Sequence, residues 1–230
     1  MKEFFESSVF FPVFSGIVFY LIGDLLRRKF RTSLINPLLV SVTLTILMLV
    51  CFDIEYASYA SGAKYLSYLL TPATVCLAIP LYRQLNVLQH NKAAILAGIV
   101  SGAIVSLGCV FVMSLAFGLS HGEYVSLLPK SITTAIGISL SEEFGGNVSL
   151  TAVAIIITGI FGNVSGEFIL KLFRIKDPVA KGVALGTASH AIGTTKALEL
   201  GETEGAVSAL SIVVAGIITT VCLPVFTGLI

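Results

Sequence analysis

Six stretches of this chain, residues 8–26, 34–52, 65–81, 93–119, 150–173 and 206–230, are apolar over the length a helix needs to cross a bilayer. A hydrocarbon core of about 30 Å takes about 20 mostly apolar residues. The intervals between them are too short to hold a soluble domain, so residues 1–230 read as one membrane domain. Composition agrees: 56% of residues are hydrophobic and 12% charged, with a mean hydropathy of +0.97. Ordinary soluble domains run at roughly 45–50% apolar and about 25% charged. Ten-residue stretches of alternating polarity, the mark of a membrane β-barrel, are absent. The expected class is therefore all-α, polytopic and integral to the membrane.

The first apolar run lacks a preceding basic region, and its charge cluster, Arg27, Arg28, Lys29 and Arg31, follows it. A signal peptide has the reverse order, so the run is kept as a helix. Cys51, Cys76, Cys109 and Cys222 are scattered through apolar runs without metal-ligand spacing and read as packing residues. No metal, cofactor or nucleic acid is implied.

Lys and Arg concentrate in cytoplasmic loops. The Arg27–Arg31 cluster, then Arg83 and Lys92, then Lys171, Arg174, Lys176 and Lys181, can all lie inside only if residues 129–143 do not cross. The uninterrupted apolar part of that segment is about ten residues, roughly 15 Å of helix. Residues 182–198 are similarly broken, by Gly186 and Gly193, and rich in hydroxyls. The preferred count is six crossings plus two re-entrant segments that enter from opposite faces. The rival count of about eight crossings leaves one basic cluster on the wrong side. Residues 1–120 then hold the first four helices, 127–173 a re-entrant segment and helix, and 182–230 a second such pair.

These two segments are alike. Thr133-Thr134-Ala135-Ile136-Gly137 matches Ser189-His190-Ala191-Ile192-Gly193, 56 positions later, and Glu143-Phe144-Gly145 then falls on Glu199-Leu200-Gly201. Ala78-Ile79-Pro80 is a weaker third copy. Inverted repeats with broken helices near mid-depth are typical of secondary transporters. Backbone breaks are expected at Gly137, Gly186 and Gly193, where irregular backbone must line a cavity or be buried in protein.

Polar residues at such depth need a reason. Lys196 is the expected counter-charge for a small carboxylate, with hydroxyls from Thr194, Thr195, Ser189 and Thr187 beside it and from Thr133, Thr134 and Ser139 opposite. His190, Glu142, Glu143 and Glu167 are candidate proton carriers. Asn163 and Glu167 share a helix face, one turn apart. Plainer readings stand beside these. Lys196 could snorkel to headgroups, His190 could tie backbone carbonyls at a helix break, and Glu142 and Glu143 could mark the exit to water. Gly98, Gly102 and Gly108 read as sites of close helix packing. No nucleophile elbow, zinc spacing or phosphate loop suggests an enzyme.

The run Leu127-Leu128-Pro129-Lys130-Ser131-Ile132-Thr133-Thr134, the Gly145-Gly146 pair and Gly186-Thr187-Ala188-Ser189-His190-Ala191-Ile192-Gly193-Thr194 resemble the LrgB/CidB family. So do Pro72-Ala73-Thr74-Val75, Ala78-Ile79-Pro80-Leu81-Tyr82, Arg174-Ile175-Lys176-Asp177-Pro178 and Glu204-Gly205-Ala206. The resemblance implies a bacterial cytoplasmic (inner) membrane protein beside a small LrgA/CidA-type membrane partner, with self-assembly into a homo-oligomer left open. It implies one of two functions. One is holin/antiholin-like modulation of murein hydrolases and autolysis. The other is transport of small monocarboxylates such as pyruvate, with a plastid relative exchanging glycolate and glycerate. The chain departs from the family at Ala135, where many relatives have proline, and at Lys196, where many have arginine. Lysine keeps the charge but loses the planar bidentate grip on a carboxylate.

Overall fold

A computed structural model describes residues 8, 10–30, 36–69, 72, 75, 76 and 78–230. Arg31, Leu34, Ala73 and Thr74, which entered the readings above, lie outside the described residues. The chain divides into two compact units, Met1–Cys76 and Leu77–Ile230. Among the described residues every regular element is an α-helix.

The first unit holds α1 (Phe11–Phe30), α2 (Pro37–Cys51) and α3 (Tyr56–Ser67). Pro37 starts α2 because its fixed φ suits the first helical position and its missing N–H needs no partner there. Asn36 caps the same turn, accepting from Leu38 N at 2.8 Å and Leu39 N at 3.3 Å. A Cβ at Gly23 would stand 2.7 Å from the Pro37 carbonyl oxygen, so glycine permits the close approach of α1 to the start of α2. Tyr59 on α3 reaches back to α1, its hydroxyl 3.2 Å from Ser15 Oγ.

The second unit runs α4 (Ala78–Arg83), α5 (Leu85–His90), α6 (Lys92–Phe117), α7 (His121–Leu127), α8 (Thr134–Glu143), α9 (Val148–Leu172), α10 (Pro178–Leu200) and α11 (Glu202–Thr227). Among the described residues, three helices are long and apolar enough to cross a membrane: α6, α9 and α11. At 26 residues, α6 and α11 are each about 39 Å long. In the first unit α1 carries Asp24, Arg27, Arg28 and Lys29 in its last turns, and α2 has only 15 residues. The expected span at 65–81 is not one helix. It closes at Ser67 with Tyr68 and Leu69 in a turn, ahead of Pro72, which cannot donate a helical hydrogen bond.

Polar caps set the helix starts. Ser120 and Glu123 form a reciprocal capping box on α7, Asn147 caps α9 through Leu150 N, and Asp177 caps α10 through Ala180 N with Pro178 behind it. Pro129 interrupts the path from α7 to α8, leaving 128–133 non-helical. α6 begins at Lys92 and α9 at Val148, 56 positions on, while α8 begins at Thr134 and the second half of α10 at residue 191, 57 positions on.

Apolar packing joins these pieces. Leu107 and Val110 of α6, Tyr124 and Val125 of α7, Leu128, Ile132, Leu140 of α8 and Leu223 of α11 form one core. The Tyr124 hydroxyl, buried with its ring, donates to the Phe226 carbonyl at 2.8 Å. A second core pairs Ile95 and Ile99 of α6 with Val207 and Ala215 of α11. Cys51, Cys76 and Cys109 are exposed, and only Cys222 packs against a core. The packing expectation therefore fails for three of the four, and Cys109 lines an open groove instead.

Candidate functional site

Thr187, Ser189, His190, Thr194 and Lys196 of α10 are all buried, and the helix is broken. Ser189 (φ −133°, ψ 16°) and His190 (φ 42°, ψ −140°) leave helical geometry and divide it into half-helices at 178–188 and 191–200. A positive φ on a residue with a Cβ is strained and persists only where surroundings over-determine it. Here α9 does so. His190 Nε2 donates to the Ile155 carbonyl at 3.0 Å, and Asn163 Nδ2 donates to the Ile192 carbonyl at 2.8 Å and meets Thr195 Oγ1 at 2.7 Å.

Glycines clear the space. A Cβ at Gly159 would lie 2.7 Å from His190 Cε1, one at Gly162 would overlap Ser189 Oγ, and one at Gly166 would meet Leu185 at 2.6 Å. With Asn163 these residues fall at helical spacing on one face of α9. The expected breaks at Gly137, Gly186 and Gly193 are corrected by this geometry. Gly137 lies inside α8, and Gly186 and Gly193 lie inside the two halves of α10. Each is glycine because a neighbour is too near: Ile155 Cδ1 at 2.5 Å from a Cβ at Gly137, the Ser208 carbonyl at 2.5 Å for Gly186, the Leu185 carbonyl at 2.6 Å for Gly193. On α6, Gly98 and Gly102 meet Val183 and Thr187 of α10 in the same way, whereas Gly108 has open space.

Lys196 is 8% exposed and already paired. Its Nζ lies 2.7 Å from Glu167 Oε2 of α9 and 3.3 Å from Glu199 Oε2, while Lys171 holds the other Glu167 oxygen at 2.8 Å. In this conformation the counter-charge to Lys196 is the protein's own carboxylate, which corrects the expectation of a cation open to substrate. Headgroup snorkelling does not describe it either. Glu167 faces the protein, as its shared face with Asn163 required.

The hydroxyls divide. Thr194 Oγ1 is 2.7 Å from Ser208 Oγ of α11, and Thr195 Oγ1, which donates to the Ile192 carbonyl of its own helix at 2.7 Å, accepts from Asn163 of α9, so both tie helices together. Thr133 sits at the N-cap of α8 without a side-chain cap bond, and Thr134 opens the helix. Ser139 is exposed and bonds Ala135 within its own helix, and Glu142 and Glu143 are exposed. None of these last three faces the break. His190 does what the plainer reading described, holding a backbone carbonyl. Ser189 and Thr187 remain: both are buried, and Thr187 Oγ1 has no hydrogen-bond partner.

Two open grooves flank the first half of α10. One, of about 390 Å³, is lined by Gly98, Gly102, Ser106, Lys130, Ser131, Thr187 and Ala188, among others. The other, of about 290 Å³, is lined by Lys130, Gly162, Ser165, Ala184, Ala188 and Ser189 with apolar neighbours. Lys130 borders both. Its ammonium donates to Ser131 Oγ at 3.1 Å and Ser106 Oγ at 3.3 Å, and those hydroxyls are 2.9 Å apart. No carboxylate pairs with it among the described residues. Sequence reasoning passed over Lys130. The available signal was a lysine inside the short apolar stretch between two helices, immediately after the proline that breaks them.

No cluster of three metal-ligating side chains occurs among the described residues. The profile of the LrgB-like family matches residues 16–229. Antiholin-like protein LrgB of Bacillus cereus (strain B4264) is 38% identical over 218 residues, covering 94% of this chain and 95% of the relative. The protein of the same name from Bacillus anthracis (strain A0248) matches equally. No solved structure matches.

Proposed function

The chain belongs to the LrgB-like family, and on that premise we propose that it carries small monocarboxylates, such as pyruvate, glycolate or glycerate, across the bacterial cytoplasmic membrane. The observation that carries this reading is the break in α10: a strained, buried Ser189–His190 pair braced by α9 and flanked by two open grooves. Broken helices that meet near mid-depth suit alternating access. A protein that only contacts a lysis effector has no use for a braced break beside grooves. The 56-residue offset between the starts of α6 and α9, and the 57-residue offset between the starts of α8 and the second half of α10, support an inverted repeat with six crossings and two re-entrant segments. In this reading the protein is not an enzyme, and it works with a small LrgA/CidA-type membrane partner.

The second reading, modulation of murein hydrolase activity and autolysis, is favoured by the name of the relatives, Antiholin-like protein LrgB. Proteoliposomes separate the two. Uptake of labelled pyruvate or glycolate under a proton gradient, with or without the small partner, is the expected result. Absence of uptake in both preparations, together with altered autolysis in cells lacking the protein, refutes transport in favour of modulation.

A further inference from the structure

Every other buried or half-buried lysine of the second unit whose ammonium contacts are described is held by carboxylate: Lys196 by Glu167 and Glu199, and Lys181 by Glu204 at 3.6 Å. Lys130 is the exception. It is half-buried in the non-helical 128–133 stretch, between buried Leu128 and Ser131, and among the described residues its hydrogen bonds go only to the neutral hydroxyls of Ser106 and Ser131. A cation in an apolar chain with no opposing charge is costly unless something supplies one. Thr187 adds an independent sign. It is 5% exposed, its hydroxyl has no partner, and it lines the same groove as Lys130, Ser106 and Ser131. Buried polar groups are ordinarily hydrogen-bonded, so an orphan hydroxyl at a groove beside an unpaired cation calls for an absent acceptor.

We propose that Lys130, with the hydroxyls of Ser106, Ser131 and Thr187, is the anion-binding site of this protein, and that it takes a small organic monoanion with one carboxylate. The ammonium would face the carboxylate, and Thr187 would donate to one of its oxygens. One unpaired cation balances one negative charge, so dicarboxylates and inorganic phosphate are poor ligands here. The groove of about 390 Å³ has room for a three- or four-carbon acid. The open Ala188 surface, shared by the two grooves, lets the same cation be reached from either side of α10.

This inference rests on the transport reading, and its test keeps the two apart. The full-length protein is purified in nanodiscs, and binding of pyruvate, glycolate, succinate and phosphate is measured by titration calorimetry. Lys130→Met, Thr187→Val and Lys196→Met are measured in parallel. The expected result is pyruvate or glycolate binding by the wild type, weakened about tenfold or more in Lys130→Met, which loses a charge-assisted contact. Thr187→Val should weaken binding about threefold or more while melting no lower than wild type, since a purely structural threonine with an unpaired hydroxyl would leave affinity unchanged. Wild-type affinity in a folded Lys130→Met overturns the site and leaves transport standing. Should Lys130→Met not fold, wild-type affinity in Thr187→Val overturns it equally. Equal affinity for succinate or phosphate overturns the monoanion assignment. A wild type that neither binds these acids nor takes them up in proteoliposomes, with or without the partner, removes the transport reading and the site with it.

Discussion

Replacing Lys196 with methionine should cost stability and leave carboxylate affinity nearly intact. Its Nζ lies 2.7 Å from Glu167 Oε2 and 3.3 Å from Glu199 Oε2, with side-chain exposures of 10%, 28% and 40% in that order. At an effective dielectric of about 20, a unit pair at the shorter separation attracts by about 6 kcal/mol. Most of that is offset by withdrawing the two charges from water, and the half-open Glu199 contact adds little. A net loss of about 1–3 kcal/mol remains, because Glu167 is left with Lys171 alone. For a chain of this size, about 2–4 °C in Tm follows each kcal/mol, so the variant should melt about 2–12 °C lower. The readout is thermal unfolding of detergent-purified protein, followed by light scattering and tyrosine fluorescence, since the chain has no tryptophan. Glu167→Gln should lose a similar amount. The double variant should lose less than the two single losses combined, with a coupling of about 1–2 kcal/mol. A Lys196→Met protein that melts like the wild type but no longer binds or takes up pyruvate would refute this assignment, because the lysine would then be facing substrate.

Three further outcomes are expected. Gly186→Ala should lower Tm, since its Cβ would stand 2.5 Å from the Ser208 carbonyl and overpacking against backbone costs about 1–3 kcal/mol, whereas Gly108→Ala, in open helical surface, should gain up to about 1 kcal/mol of helix propensity; equal melting of the two variants would count against the α10–α11 packing. Asp177→Ala, which removes the acceptor for Ala180 N, should cost about 1 kcal/mol and increase amide exchange in the first turn of α10, and unchanged exchange there would argue against the cap. Glu123 has its carboxyl held below the usual carboxylate range by the Ser120 hydroxyl and backbone N–H. Because its folded value lies below the unfolded one, the box stabilises α7 above the ordinary carboxylate pKa and loses that contribution as pH falls through the folded value; the protection factors of the Glu123 and Tyr124 amides, taken against the intrinsic exchange rate at each pH, should fall on acidification in the wild type and not in Glu123→Gln.

Hydropathy and proline or capping signals are local, so the sequence alone determined the helical class and the long apolar helices at 93–119, 150–173 and 206–230. It also placed Asn163 and Glu167 on one face of α9, because helical spacing requires it. The hydroxyl-rich character of residues 182–198 is plain in the sequence, but the roles within that segment are not legible there. Glycine's permissiveness suggested breaks at Gly186 and Gly193. The chain instead breaks at Ser189–His190, because α9 presents the Ile155 carbonyl, the Asn163 amide and the room left by Gly159 and Gly162. Gly186 and Gly193 are spent on close contact. Likewise, a charge's meaning depends on what faces it, and that is a long-range fact. Lys196 looked open and is closed by Glu167, 29 positions earlier, while Lys130 looked like part of a motif and is the cation without a carboxylate among the described residues. Tertiary structure decided both, because an ion pair is made by the approach of separate helices and no reading of one segment can supply its partner.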